Sequence, residues 1–305
     1  MITDYDVVIR SLGNPEYLGP TIDALRGQSL KPREILIVVP DGAPDPPLEN
    51  YESIRIERCR KGMISQRAQG IKRSSSRYQL LMDDDVVLKD PGAVEHLFQT
   101  LDETGAVCVV PLLALPTGLM RIPLAVFGIA VPWFRPKVKH TAGGGFMYPV
   151  GKRATSGLID VDGARGACLA VDAEFLRKHE IFGDSDLENG GYAFREDAAF
   201  VFEMTRQGGS AKMIEAGAIE HIGVSHPRSP DEMARRGAAI IINSHLFWEK
   251  YARRKHEGRI WPSIAFGWTI LGHFLLALAV TLRRGNLAPV RGWVQGCKQL
   301  LEVRH

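Results

Sequence analysis

Tyr78-Gln79-Leu80-Leu81-Met82-Asp83-Asp84-Asp85-Val86-Val87-Leu88 places three adjacent carboxylates between two short apolar runs. Short apolar runs that are bounded by a sharp change of polarity are typical of buried strands. Three adjacent acids at the end of such a strand repel one another, so the cluster needs a counter-charge. A hard divalent cation such as Mg²⁺ or Mn²⁺ prefers oxygen ligands and would supply that charge. An acidic surface turn between two strands is the alternative interpretation.

Strands and helices alternate on the N-terminal side of this stretch. Asp6–Leu12 and Glu34–Val39 predict two buried strands, and apolar residues recur between them at helical spacing. A strand–helix–strand order implies a parallel pair that is joined by a right-handed crossover. A short strand is expected at 53–57, and a helix starts near Ser65, whose hydroxyl could cap it.

Beyond the acidic cluster the alternation continues with a helix at 93–101 and a strand at 106–113. The order β-α-β-β-α-β-α-β predicts an α/β protein with a single Rossmann-like, doubly wound mixed sheet. In open sheets of this kind ligands bind outside the carboxyl ends of the strands. The acidic cluster falls at such an end, but a binding site and a surface turn both remain possible from its position alone.

The pattern is less regular in the middle of the chain. Periodicity breaks down from Pro116 to Asp162, and we expect a functional loop or a mobile lid there. Regular elements return with a strand at 166–172, a helix near 174–179 and a last strand at 212–219. Glu196-Asp197 opens another helix, where acids in the first turn also complement the helix dipole.

Charge is unevenly distributed, although the net charge is only +3. Residues 228–305 contain 13 Lys/Arg and 5 Asp/Glu, a local excess of +8, so the first 227 residues carry −5. A basic tail on a mildly acidic body indicates contact with an anionic surface, either a membrane or a nucleic acid. The four cysteines have no metal-ligand spacing and suggest a reducing compartment.

The basic tail also contains a long apolar segment. Ile260–Leu282 runs 23 residues without Asp, Glu, Lys or Arg, which is long enough to cross a bilayer. Arg259 and Arg283-Arg284 bracket it, and a single crossing would leave one basic cluster on the non-cytoplasmic side. We therefore expect a helix that lies in, or dips into, the cytoplasmic leaflet, with a buried core helix as the alternative. Three polar residues on one helical stripe indicate a face that is not in lipid: Thr269, His273 and Thr281.

A second amphipathic helix is expected at 288–301. A nucleic-acid-binding face does not need a long uncharged apolar segment, so we expect no nucleic-acid partner. The predicted organisation is therefore an α/β domain at 1–227 and a basic, helical, membrane-associated region at 228–305.

Taken in order, the motifs resemble the family 2 glycosyltransferases of the GT-A fold over roughly residues 5–227. The stretches that carry the resemblance are Gly13–Leu18, Val38–Gly42, Gly62–Gly70, Asp83–Asp85, Gly166–Leu169, Glu196-Asp197 and Ile219–His221. Each is a weak signal alone, and the strength lies in their order. Pro40 stands where the family frequently has an acid, so only Asp41 is carried over at that strand end.

The resemblance implies an inverting transferase that uses a nucleotide-diphosphate sugar and a divalent cation, Mn²⁺ or Mg²⁺. It implies donor-nucleotide contacts for four residues: Asp41, Arg67, Asp83 and Asp84. It implies a metal site at Asp83, Asp85 and His221. It also implies that Asp197 is the general base and that Glu196 lies on the acceptor side.

Each implied role has a simpler alternative. Asp41 could merely shape a Pro-Asp-Gly turn, and Arg67 could be a solvated helix residue. His221 could be a structural histidine, and His226 is a rival metal ligand. The carboxylates 83 and 85 are two residues apart on a chain that leaves a strand, so both can converge on one ion.

Other functions use similar residues. Asp83–Val87 superficially matches the nucleophile strand of haloacid dehalogenase-like phosphatases, but that family carries the motif on its first strand. A sugar nucleotidyltransferase needs a Gly-rich basic loop after the first strand, which Ser11–Asn14 does not provide. A membrane-docked, non-catalytic nucleotide-sugar-binding protein is the remaining alternative. Membrane docking would suit a lipid-linked or surface-polysaccharide acceptor at the cytoplasmic face of the cell membrane.

Overall fold

The computed structural model describes residues 2–46, 53–112, 121–133, 135, 137–149, 157–164, 166–189, 192–215, 219–222, 229–253 and 259–302. The chain forms two compact units, each assembled from separate segments. The first unit comprises 1–113, 155–183 and 200–226, and the second comprises 114–154, 184–199 and 227–305. The sequence-based division after residue 227 stays a prediction.

The strands are β1 (Asp6–Arg10), β2 (Glu34–Pro40), β3 (Ile54–Cys59), β4 (Tyr78–Asp83), β5 (Val86–Leu88), β6 (Cys108–Pro111), β7 (Ala130–Trp133), β8 (Lys137–His140), β9 (Phe146–Pro149), β10 (Ile159–Val161), β11 (Cys168–Asp172), β12 (Glu188–Asn189), β13 (Tyr192–Ala193), β14 (Ala211–Ile214) and β15 (Ile219–His221). The helices are α1 (Pro15–Arg26), α2 (Met63–Arg73), α3 (Ala93–Thr104), α4 (Arg121–Val126), α5 (Ala173–Lys178), α6 (Glu196–Arg206), α7 (Pro230–Phe247), α8 (Trp261–Arg284) and α9 (Ala288–Glu302).

A mixed sheet forms the centre of the first unit. Its strand order is β3-β2-β1-β4-β11-β6-β14-β10. The strands β3, β2, β1 and β4 run parallel, whereas β11 is antiparallel to both β4 and β6. The apolar strands β1 and β2 are almost wholly buried, as expected where helices cover both faces of a sheet. The predicted α/β architecture is confirmed.

Helix α2 packs closely against the sheet through Gly70. A Cβ atom on Gly70 would lie 2.1 Å from Cγ1 of Val8 on β1 and 3.3 Å from Cγ2 of Val38 on β2. The absence of a side chain therefore sets the distance between helix and sheet. The helix begins at Met63, after Gly62, and has no side-chain cap, so the predicted cap at Ser65 is wrong.

The second unit has its own small sheet in the order β8-β9-β7. β8 is antiparallel to β9, and β7 is parallel to it. The described part of Pro116–Asp162 therefore contains α4 and four short strands, and the predicted patternless loop is wrong there. Strands of three or four residues are too short to give a readable alternation.

The predicted single strand at 212–219 is also wrong. The structure has two strands, and residues 216–218 between them lie outside the described residues. β14 runs parallel to β6 in the large sheet, whereas β15 pairs antiparallel with β5 in a separate two-stranded sheet. This second pairing brings the end of β15 next to the acidic cluster.

Three long helices, α7, α8 and α9, complete the second unit, and the predicted positions of α8 and α9 are confirmed. α7 continues as a π-helical turn at Trp248–Ala252, and its Asn243 amide donates hydrogen bonds to the carbonyls of Leu187 and Tyr192 around the β12–β13 hairpin. α8 is long and apolar enough to cross a membrane, by length and composition, and only 17% of its most apolar window is buried. Thr269 and Thr281 are buried on one face of α8, as the polar stripe predicts.

Candidate active site

The acidic cluster lies at the carboxyl edge of the large sheet. β4 ends at Asp83, and Asp84 and Asp85 form the turn into β5. Arg10 ends the neighbouring parallel strand β1 in register with Asp83, and its Nε donates a hydrogen bond to the Asp83 carboxylate. Arg10 is 8% exposed, so this ion pair is largely shielded from water. Part of the counter-charge that the cluster requires therefore comes from the chain itself.

Asp84 points toward polar groups at the end of β1 and on α1. The Ser11 hydroxyl lies 2.5 Å from Oδ2 of Asp84, and the Thr21 hydroxyl donates to the Asp84 carbonyl at 2.8 Å. Burial, together with the neighbouring carboxylates of Asp85 and Asp83, raises the pKa of Asp84 to about 6, although the Ser11 hydrogen bond opposes the rise. Asp84 is thus a proton-binding group near neutral pH.

Asp85 contacts His221, the histidine of the predicted metal site. Nε2 of His221 lies 2.7 Å from Oδ1 of Asp85. This hydrogen bond raises the pKa of His221 above its usual value, against the lowering effect of partial burial. The rival ligand His226 lies outside the described residues.

Asp83, Asp85 and His221 could together hold a metal ion. One ligand atom from each lies within 4.8 Å of the other two. Two carboxylates and one imidazole are a donor set that suits Mn²⁺, and carboxylates alone also suit Mg²⁺. The residues present therefore fit a divalent cation, as predicted from the sequence.

Arg67 on α2 is placed under the sheet edge. It is 3% exposed, and its guanidinium carbon lies 4.1 Å from the centre of the Phe200 ring. It lines a small cavity together with Arg10 and Gly166. The alternative that Arg67 is a solvated helix residue is therefore wrong, whereas its contact with a donor nucleotide stays a prediction.

Asp41 follows β2 at the same carboxyl edge of the sheet. Its side chain is exposed, and its backbone N–H donates to the carbonyl of Cys59 at 2.8 Å. Gly42 adopts φ +76°, so a turn does form at Pro40-Asp41-Gly42. The turn and the predicted nucleobase contact are compatible, because the turn leaves the carboxylate exposed.

Glu196 and Asp197 occupy the first turn of α6, in the second unit. Glu196 is 2% exposed and Asp197 is half-buried. The structure thus brings together the predicted metal residues Asp83, Asp85 and His221, and the predicted donor residues Asp41 and Arg67 belong to the same unit. The predicted base Asp197 and its neighbour Glu196 belong to the second unit.

Two arginines that sequence reasoning missed accompany these residues. Arg10 interrupts an otherwise apolar strand, and that polarity at the strand end was the available signal. Arg195 directly precedes Glu196 and adopts φ +65°, a backbone conformation that cannot be read from sequence.

The mixed sheet has this strand order, and two acids and a histidine converge at its carboxyl edge. This architecture is the GT-A fold, the class of fold used by nucleotide-sugar glycosyltransferases. Residues 6–117 match the family model described as Glycosyl transferase family 2. Over this segment the chain is similar to the family 2 glycosyltransferases. No curated protein sequence matches the chain.

Solved structures resemble this chain at low sequence identity, and one of them shares its fold. The mannosyltransferase PcManGT from Pyrobaculum calidifontis, in complex with GDP-Man and Mn²⁺, is 11% identical with a TM-score of 0.52, over 99% of this chain and 88% of that one. S. aureus TarS 1-349 is 11% identical with a TM-score of 0.46, over 97% and 91% of the two chains. The complex of S. aureus TarS 1-349 with UDP-GlcNAc is also 11% identical, with a TM-score of 0.44 over 97% of this chain and 92% of that one.

Proposed function

We propose that this chain transfers a sugar, with inversion at the anomeric carbon, from a nucleoside-diphosphate sugar to a hydroxyl group. The acceptor that we propose is a lipid-linked or cell-surface polysaccharide or glycolipid intermediate. The observation that carries the proposal is the convergence of Asp83, Asp85 and His221 within 4.8 Å at the carboxyl edge of the sheet.

The three convergent side chains are proposed to hold Mn²⁺ or Mg²⁺. When bound, the ion supplies positive charge to the diphosphate leaving group. The Mn²⁺ in the complex of the mannosyltransferase PcManGT supports this choice. Arg10 keeps one oxygen of Asp83 engaged, which fixes the carboxylate's orientation at the strand end.

The donor nucleotide is proposed to lie along the same sheet edge. Asp41, exposed at the end of β2, would contact the base, while Asp83 and Asp84 would face the ribose and phosphates. Arg67 lies beneath this edge and would raise the local positive potential. Donor identity differs between the solved complexes, one with GDP-Man and one with UDP-GlcNAc, so both nucleotide classes belong in a test.

Asp197 is proposed as the general base. The acceptor oxygen attacks the anomeric carbon, its proton passes to the Asp197 carboxylate, and the bond to the diphosphate oxygen breaks. A single displacement inverts the anomeric centre. Glu196, which is nearly buried beside it, is proposed to lie on the acceptor side.

A position at the cytoplasmic face of the membrane is proposed from the surface of α8. Large apolar side chains recur along one side of this helix and are 39–64% exposed: Trp261, Ile264, Trp268, Leu271 and Leu275. Thr269, Gly272 and Thr281 of the same helix are buried against protein. A helix that is apolar outside, packed inside and bracketed by arginines suits an interfacial position better than a crossing.

Metal-dependent hydrolysis of nucleotide sugars tests the transferase proposal against a non-catalytic binding protein. We expect turnover of at least one UDP- or GDP-sugar with Mn²⁺, and a loss of about 100-fold or more in Asp85→Ala. The matched control is Asp23→Ala, which removes an exposed acid from α1 in the same unit and should leave the rate unchanged. Equal rates for the wild type and Asp85→Ala would refute the proposal.

A further inference from the structure

Arg195 has an unusual backbone and an unusual environment. Its φ is +65°, in the left-handed region that residues other than glycine seldom adopt. The residue is 8% exposed, so a charged group is buried directly before Glu196 and Asp197. Strained, buried residues of this kind persist where the surrounding structure holds them and cluster at functional sites.

The guanidinium of Arg195 is held by one carbonyl and three rings. Nη1 donates a hydrogen bond to the carbonyl oxygen of Gly144. The guanidinium carbon lies 5.3 to 5.5 Å from three ring centres, those of Phe146, Phe194 and Phe247. Aromatic faces stabilise a cation, and they offset part of the cost of burying it.

No carboxylate pairs with Arg195 among the residues that the structure describes. Burial accordingly lowers the pKa of its guanidinium to about 10. An arginine that only filled space would be replaced by an apolar side chain at lower cost. Its hydrogen bond to the Gly144 carbonyl is therefore the contact that indicates a role for Arg195.

The carbonyl that Arg195 binds belongs to a tightly packed glycine turn. A Cβ atom on Gly143 would lie 2.6 Å from the Ala265 carbonyl oxygen and from Oγ1 of Thr269, both on α8. A Cβ atom on Gly145 would lie 1.8 Å from the Gly128 carbonyl oxygen. The turn between β8 and β9 is thus braced on both sides, which makes the Gly144 carbonyl a fixed point.

We propose that Arg195 is a positioning residue that sets the first turn of α6, and with it the carboxylate of Asp197, relative to the braced glycine turn. This inference rests on the proposed function, because it takes Asp197 as the base. The planar guanidinium can satisfy the Gly144 carbonyl while stacking between rings, which a lysine ammonium cannot do. The left-handed backbone turns the chain sharply from β13 into the helix.

Kinetics of Arg195→Met and Arg195→Lys test the proposal. A displaced base slows the chemical step, so we expect kcat of Arg195→Met to fall by about 10- to 100-fold. The donor residues belong to the first unit, so the donor KM and the Kd for Mn²⁺-dependent donor binding should stay within about twofold. Arg195→Lys keeps the positive charge but loses the planar guanidinium, so its kcat should lie between those of Arg195→Met and the wild type. Arg206→Met, at the exposed end of the same helix, is the control and should behave as wild type.

Hydrogen exchange provides a readout that does not need activity. We expect amide exchange in peptides that cover 196–204 to speed up about 10-fold in Arg195→Met and to stay unchanged in Arg206→Met. Unchanged exchange, a kcat within twofold of wild type, or a parallel loss of kcat, donor binding and thermal stability would each overturn the proposal. An inactive wild type would overturn the transferase function instead, while the exchange result would still decide the role of Arg195.

Discussion

Nε2 of His221 lies 2.7 Å from Oδ1 of Asp85, although the two residues are 136 positions apart in the chain. The contact depends on β15, a strand of three residues that pairs antiparallel with β5 and sets His221 opposite Val86. A short strand thus places an imidazole next to the acidic turn.

The contact predicts a pH-dependent contribution to stability. The pKa of His221 is raised in the folded protein, so the pair stabilises the fold fully below the ordinary histidine pKa of about 6.5. That contribution is lost as the pH rises through the raised pKa. We expect the Tm difference between wild type and His221→Gln, measured without metal, to be larger at pH 5.5 than at pH 8.5.

The control for this prediction is His96→Gln, which removes an exposed histidine from α3 in the same unit. Its Tm difference from wild type should not change between the two pH values. A His221→Gln difference that grows with pH would contradict the assignment of the raised pKa.

Asp84 predicts a stability change of its own. Its pKa is raised to about 6, so the folded protein disfavours the charged form, and wild type loses stability as the pH rises from about 4 through 6. Asp84→Asn removes the charge but keeps a group that can accept the Ser11 hydrogen bond. We expect this variant to unfold at a higher urea concentration than wild type at pH 8, with the difference shrinking at pH 5.

Asp23→Asn serves as the comparison, because Asp23 is exposed on α1. Its urea midpoint should follow that of wild type at both pH values. Loss of stability in Asp84→Asn at pH 8 would mean that the ionised carboxylate is stabilised by its neighbours instead.

Gly70 predicts a packing defect on substitution. A methyl group would meet Cγ1 of Val8 at 2.1 Å, so Gly70→Ala forces α2 away from the sheet and should cost about 1–3 kcal/mol of unfolding free energy. Gly267→Ala, inside α8 with nothing within 4 Å of the added atom, should instead be neutral or stabilising by up to about 1 kcal/mol. Chemical denaturation measures both, and equal effects would refute the packing argument.

The surface of α8 predicts membrane binding that point variants can test. Ile264 is 58% exposed and Leu271 is 41% exposed on its outer face. Changing both to Asp removes apolar area and adds charge, so binding to vesicles of phosphatidylcholine with phosphatidylglycerol should weaken at least about 10-fold. Leu158→Asp changes a leucine of similar exposure, 43%, in the first unit and should leave vesicle binding unchanged. Undiminished binding by the double variant would remove α8 as the docking surface.

The sequence predicts the large sheet well because its strands are buried on both sides and its helices are long enough for a period to emerge. The carboxylates of the site were readable for the same reason, since Asp41 directly follows a buried strand and Asp83 ends one. Arg67 was correctly located on a helix, but its burial under Phe200 depends on a residue 133 positions later.

What could not be predicted depends on contacts across long sequence separations. The pairing of Arg10 with Asp83 follows from the register of β1 and β4, which periodicity does not give. The four strands between 130 and 161 are too short for alternation, and Arg195 is defined by its φ angle and its ring neighbours. The prediction that Ser65 caps α2 was wrong because the helix begins two residues earlier, at Met63, and its N-cap residue Gly62 has no side chain to cap it.

If Asp83, Asp85 and His221 hold a metal as proposed, the ion pair between Arg10 and Asp83 would allow the chain to fold before the metal binds. Arg10 already supplies a positive charge to Asp83, and the Ser11 hydroxyl binds Asp84. The three adjacent carboxylates are therefore not all uncompensated without a metal. The chain can therefore reach its folded shape in a cell where free manganese or magnesium fluctuates. Metal supply would then govern how much of the enzyme is active at a given moment, and not how much of it survives synthesis.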